Sequence, residues 1–201
     1  MSTPHNCALV FDFDGTLTAP GGIDFLAMRA AVGCPPDGTL LEFIAELPDV
    51  ERVRANRRMV ELGLEFAQAS RPNIAAEDLV CELRKLGLPM AIVSRNCRAA
   101  VRAAFPNFSR ISPADFAMII GRDDGFPPKP SPAALLHIAD RLDLRADQLW
   151  MIGDYCFDLD AGRAAGARTV YLTNGETPRW TADFVIESLR ELPDLLRQCI
   201  L

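Results

Sequence analysis

Five short apolar runs recur along the chain, separated by segments with helical spacing. Residues 7–13 (CALVFDF), 90–94 (MAIVS), 116–120 (FAMII), 149–154 (LWMIGD) and 168–173 (RTVYLT) are nearly continuous in apolar character. A strand buried on both faces reads this way, whereas a half-exposed strand alternates. Residues 75–86 place Leu79, Leu83 and Leu86 on one predicted helical face, with Gly87 as the stop. Residues 131–142 offer Ser131 as an N-cap and Pro132 in the first turn. Residues 158–167 (DLDAGRAAGA) form a short helix whose small residues suit close packing on a sheet. Strand–helix alternation predicts an α/β protein with a doubly wound parallel sheet, and ligands bind at the strand carboxyl ends of such sheets.

Residues 19–74 break this rhythm. Three helical stretches occupy residues 24–32, 39–47 and 49–70, and no strand pattern interrupts them. The expected division is a core domain of residues 1–18 and 75–201, with a helical cap of residues 19–74. Pro20-Gly21-Gly22 and Pro72 are its candidate hinges. A segment placed over the strand ends can act as a lid.

The 201 residues, 49% hydrophobic, suffice for one core domain plus a small insertion. The net charge of -6 and pI near 5.0 argue against a nucleic-acid partner. The first residues lack a signal-peptide pattern, and no apolar run is long enough to span a membrane, so a cytoplasmic location is expected. Six scattered cysteines make no C-x-x-C pair and read as reduced thiols. With only His5 and His137 to assist, a zinc site is not expected.

The candidate chemistry lies at the strand ends. The stretch VFDFDGTLT sets Asp12 and Asp14 two residues apart where the first strand stops. Carboxylates that close repel, so one should hold its proton more tightly. The second strand ends at Ser94, followed by Arg95 and Asn96. Lys129 follows the third, and Asp154 and Asp158 follow the fourth. In a parallel sheet these ends share one rim. Converging carboxylates suit Mg2+, which in turn favours a phosphate substrate. Ser94, backbone N–H groups after it and Lys129 would hold phosphoryl oxygens. One aspartate would attack phosphorus, while the other moves the proton.

DFDGTLT, IVSRN, PPKPSP and GDYCFDLDAG, in that order, resemble the four motifs of the haloacid dehalogenase superfamily. The position of the insertion resembles the small helical cap of phosphoglycolate phosphatases and β-phosphoglucomutases. The resemblance implies a Rossmann-like core and a magnesium-dependent phosphatase working through a phosphoaspartate. By motif it implies Asp12 as nucleophile and metal ligand, and Asp14 as acid/base, ligating metal through its backbone carbonyl. Ser94, Arg95 and Lys129 are implied as phosphate-binding, Asp154 as a metal ligand, and Asp158 as support for the metal or Lys129. The implied substrate is a small phosphorylated metabolite. A phosphomutase of the β-phosphoglucomutase type would share this site, and a non-catalytic binding protein is the rival from another class. The pattern leaves oligomeric state open.

Other features read as structural. Arg52, Arg54, Arg57 and Arg58 lie beside Glu51 and Glu61 and fit a solvated helix face better than a substrate clamp. Cys97 and Cys156 follow motifs but read as inert packing residues, and His137 sits in an apolar helical pattern.

Overall fold

The structure is a computed structural model that describes residues 7–199; His5 lies outside them. Among the described residues six parallel strands form one sheet. They are β1 (Ala8–Phe11), β2 (Met90–Val93), β3 (Met118–Ile120), β4 (Leu149–Gly153), β5 (Arg168–Leu172) and β6 (Phe184–Ile186). Their order is β3-β2-β1-β4-β5-β6. The chain therefore runs outward from β1 in one direction, then returns to β1's other side at β4. That reversal opens a crevice beyond the carboxyl ends of β1 and β4.

Alternation along the strands divides the core into two layers. Leu9, Phe11, Trp150 and Ile152 face one cluster. There they meet Leu79 and Leu83 of α4 (Ala76–Lys85), Val101 of α5 (Arg98–Ala104) and Leu196 of α8 (Leu192–Cys199). Ala8, Val10, Leu149 and Met151 face the other cluster. It contains Leu135 and Ile138 of α6 (Ala133–Arg141) and Ala161 and Ala165 of α7 (Cys156–Ala165). Both sheet faces are covered, which is why the strands read as unbroken apolar runs. Burying one such large side chain contributes roughly 1.5–3 kcal/mol.

Several details differ from the sequence pattern. Strand β6 is unexpected: its apolar run, Phe184-Val185-Ile186, is only three residues long, and it buries Ile186 while leaving Val185 exposed. Leu86 is the C-cap residue of α4 and is exposed, because the helix ends before completing the predicted face. Pro132, not Ser131, occupies the N-cap of α6, although the Ser131 hydroxyl still accepts from the Ala133 N–H at 3.3 Å. Helix α7 starts two residues early, at Cys156, which moves Asp158 into its first turn.

The insertion folds as α1 (Phe25–Val32), α2 (Leu40–Glu46) and α3 (Asp49–Ala69). Met28, Leu40, Ile44, Met59 and Leu62 pack into a small core of their own. Helix α3 also belongs to the sheet side. Its Ala67 joins the larger cluster, Asn56 accepts from Arg122 at 3.0 Å, and the Ala67 carbonyl accepts from Asn107 at 2.9 Å. The two linkers pair with each other: Thr18 bridges Pro72, and the Ala19 N–H donates to the Arg71 carbonyl at 2.8 Å. No helix among the described residues is long and apolar enough to cross a membrane.

Candidate active site

Asp12 follows β1 directly, and its backbone N–H donates to the Ile152 carbonyl of β4 at 2.8 Å. The chain then turns sharply at Gly15, whose φ is +88°. A Cβ at Gly15 would collide with the Asp154 carboxylate, so glycine serves both the turn and the close approach. Thr16 closes the turn by donating its hydroxyl to Asp154 Oδ1 at 3.1 Å.

Lys129 reaches this point from the segment after β3 and is only 2% exposed. Its ammonium donates to Asp12 Oδ1 at 2.6 Å and to the Val93 carbonyl at 2.6 Å, and pairs with Asp158 Oδ1 at 2.5 Å. Asp158 is held in turn by the Tyr155 N–H at 3.1 Å, at the start of α7. Ser94 does not cap α5, whose N-cap is Cys97. Its hydroxyl donates to Asp14 Oδ2 at 3.3 Å and accepts from the Asn96 N–H at 2.9 Å.

Asp12, Asp154 and Asp158 each offer a carboxylate oxygen, and the three oxygens lie within 4.8 Å of one another. Lys129 is the one cation ion-paired to them among the described residues. An oxygen-only donor set with surplus negative charge fits a hard divalent cation. Burial raises Asp154 to a pKa of about 8, reinforced by the Asp12 and Asp158 charges and opposed by the Thr16 hydrogen bond. Asp158 rises to about 6, burial outweighing the Lys129 charge. Burial followed by the Asp12 charge lifts Asp14 to about 7, against hydrogen bonds from Ser94 and Asn96. Of the opening pair, Asp14 is the carboxyl whose proton is held well above the usual carboxylate range. Burial alone would pull the Lys129 ammonium down, but Asp12 and Asp158 outweigh it and hold its pKa above the usual lysine value.

A cavity of about 230 Å³ opens onto these groups, bounded by the core on one side and α1, α2 and α3 on the other. Arg95 lines it, stacked 4.1 Å over the Phe157 ring. Its guanidinium donates to the Lys129 carbonyl and to both carboxylate oxygens of Glu42 in α2, each at 2.9 Å for Glu42. Arg95 therefore joins core to cap rather than standing free. Arg54 and Arg58 are exposed and do not line the cavity, and Arg58 pairs with Glu61 at 3.2 Å, as a solvated face would. Cys97 is buried, and His137 packs against Phe126 with ring centroids 4.9 Å apart.

Sequence reading passed over several residues here. Asn73, 8% exposed, donates to the Thr16 carbonyl at 2.8 Å and to Asn174 Oδ1 at 2.9 Å. Asn174 donates to the Gly15 carbonyl at 2.9 Å. Together they clamp the turn behind Asp14. Glu42 was equally silent, and Asn96 was named at the strand end without a role. For Asn174 a signal existed, since an Asn-Gly pair after a strand marks a tight turn; its φ is +54°.

Comparison with known proteins was consistent across the chain. Residues 27–172 match the family described as haloacid dehalogenase-like hydrolase. An uncharacterized hydrolase of Saccharomyces cerevisiae is 33% identical over 201 residues, covering 96% of this chain and 92% of that protein. A phosphoglycolate phosphatase of Chromobacterium violaceum is 30% identical over 225 residues, covering 98% and 99%. The crystal structure of a hydrolase from Pseudomonas syringae superposes with a TM-score of 0.79 at 21% identity, covering 97% of this chain and all of that one, and bears out the fold.

Proposed function

This chain belongs to the haloacid dehalogenase-like hydrolases and is a phosphoric monoester hydrolase, and on that premise we propose that it hydrolyses a small phosphorylated metabolite through a phosphoaspartate at Asp12, with Mg2+ as cofactor. The observation that carries this reading is the buried Lys129 ammonium held between Asp12 and Asp158, with Asp154 alongside.

Asp12, Asp154 and Asp158 would hold the cation, with the Asp14 carbonyl as a further ligand. When bound, it neutralises phosphoryl charge and lets an anionic nucleophile approach. An Asp12 oxygen forms a bond to phosphorus as the bond to the leaving oxygen breaks. Asp14, with its pKa near 7, donates its proton to that leaving oxygen. Water then attacks phosphorus and gives its proton to Asp14. The bond to Asp12 breaks, restoring its carboxylate and releasing inorganic phosphate. Proton transfer of this kind contributes about 10²–10⁴-fold. Lys129, Ser94 and the Arg95 backbone N–H hold the non-bridging oxygens, and their fixed positions supply much of the remaining acceleration.

The role of a lid falls to residues 19–74. Within them α1 and α2 are the natural moving part, because α3 is fastened to the core through Asn56, Ala67 and Gly63. Glu42 and Arg95 would then close the lid.

The test is phosphate release from aryl and metabolite phosphates, with and without chelator. Activity should vanish with chelator and return with Mg2+. Rapid-quench mass spectrometry should find a phosphoryl group on Asp12, and none in Asp12→Asn. Full turnover by the metal-free protein, or labelling at Asp14, would overturn the mechanism.

A further inference from the structure

The cavity beyond the acidic cluster has a chemistry of its own. The cap contributes Ile23, Phe25, Met28, Leu40, Leu41 and Met59 to its wall. Tyr155 and Phe157 face them from the core side. Thr39 is the neutral polar side chain that the cap adds. A sugar's hydroxyls would lose water against such a wall and find few partners, at about 1–3 kcal/mol for each one left unpaired.

Size is also constrained. The cavity of about 230 Å³ includes the space at Lys129 and Ser94 for the phosphoryl group. A phosphoryl group displaces two or three waters, at about 10–15 Å³ of cavity each. The remainder is somewhat larger than the apolar cavity of about 150 Å³ that accepts benzene, so one ring with a small substituent fits.

Charge supplies the third constraint. Beside the buried Lys129, two guanidiniums line the cavity. Arg95 is already satisfied by Glu42 at 2.9 Å. Arg29 of α1 differs. Its Nε–H donates to the Gly38 carbonyl at 2.8 Å, which fixes the side chain, and it forms no ion pair among the described residues. A half-buried, anchored guanidinium over an apolar pocket suits a carboxylate, which accepts its N–H groups in pairs.

We propose that the leaving group is a compact, largely apolar alcohol or phenol of benzene-like size bearing one carboxylate, and that Arg29 receives that carboxylate. The proposal rests on the phosphatase reading above and specifies the ester that site takes. Leu40, Leu41 and Met59 enclose the apolar body, while Arg29 selects orientation and charge.

The experiment uses the full chain with Mg2+ and three probes: phenyl phosphate, meta-carboxyphenyl phosphate and glycerol phosphate. The carboxylated aryl ester should have the highest kcat/KM and glycerol phosphate the lowest. Arg29→Met should raise KM for meta-carboxyphenyl phosphate about tenfold more than for phenyl phosphate, the size of one charge-assisted hydrogen bond. Arg29→Lys should recover part of that discrimination, which a merely structural role for Arg29 would not produce. Equal effects of Arg29→Met on both aryl esters, or glycerol phosphate turned over as well as either, would overturn this assignment while leaving a phosphatase. Hydrolysis of none of the three by protein that releases phosphate from other metabolite phosphates would overturn this assignment alone; no release from any phosphate ester would overturn the phosphatase reading, and this one with it.

Discussion

Gly63→Ala adds a methyl group where the protein has left no room. Glycine inside a helix costs about 0.5–1 kcal/mol relative to alanine, so its presence in the middle of α3 calls for a reason. A Cβ there would stand 2.7 Å from Asn96 Oδ1, whereas ordinary contact begins at 3.4 Å. The Asn96 carboxamide must then retreat by about 0.7 Å. It has little freedom to do so, because its Oδ1 accepts from the Cys97 N–H at 2.9 Å and its side chain hydrogen-bonds Asp14. A hydrogen bond stretched to about 3.6 Å is no longer one. Hydrogen bonds to charged groups are worth roughly 1.5–3 kcal/mol. Loss of the Asn96–Asp14 contact should therefore slow the protonation-dependent step by about 10- to 100-fold.

Leaving-group dependence is the assay. Phenyl phosphate needs an acid, so its kcat should fall by that factor, whereas para-nitrophenyl phosphate, which needs little protonation, should be far less affected. The apparent pKa of Asp14 should rise, since Asn96 stabilises its charged form. Tm should fall modestly, because the lost hydrogen bond, at about 1.5–3 kcal/mol, outweighs the helix gain of about 0.5–1 kcal/mol. Equal slowing of both esters would refute the reasoning, as would unchanged kcat for phenyl phosphate.

Three further outcomes follow from the same contacts. In metal-free protein Asp154 and Asp14 keep their protons to about pH 8 and 7, whereas unfolded carboxylates release theirs near ~4. Between those values the folded state binds more protons, so stability falls as pH rises, by about 1.4 kcal/mol per pH unit for each proton retained. Thermal scans in chelator should show Tm dropping from pH 5 to pH 8 and recovering with a divalent cation; a rising Tm would contradict the assigned burial. Asn73→Asp replaces the donor to Thr16 and Asn174 with a carboxylate facing two oxygens, and should lower unfolding free energy by about 1–3 kcal/mol, read from the denaturation midpoint; an unchanged midpoint would remove the clamp from the account. Glu42→Gln removes the charge that meets Arg95 at 2.9 Å across the cavity. Hydrogen exchange should quicken in α1 and α2 and stay unchanged in α3; equal change in all three would mean that the cap moves as one body.

The sequence by itself determined the architecture and the chemical types at the site. Strands buried on both faces must be apolar throughout, so β1 through β5 were visible as runs, and the three cap helices as interrupted periodicity. Parallel topology then requires Asp12, Asp14, Ser94, Lys129, Asp154 and Asp158 to meet at one rim, wherever else the chain wanders. Strand β6 escaped because its run, Phe184 to Ile186, is only three residues long, and an edge strand with one buried side chain needs no more. Tertiary structure alone decided who holds whom. Lys129 lies 117 residues from Asp12, and Asn73 lies 101 residues from Asn174. The Arg95–Glu42 pair joins residues 53 apart. No local period encodes such pairings. They exist because folding closes the sheet, seats α3 against α5 and brings most buried polar groups within reach of a partner. Even Gly63, an unexplained weakness in a helical pattern, acquires its reason only when Asn96 arrives from another part of the chain.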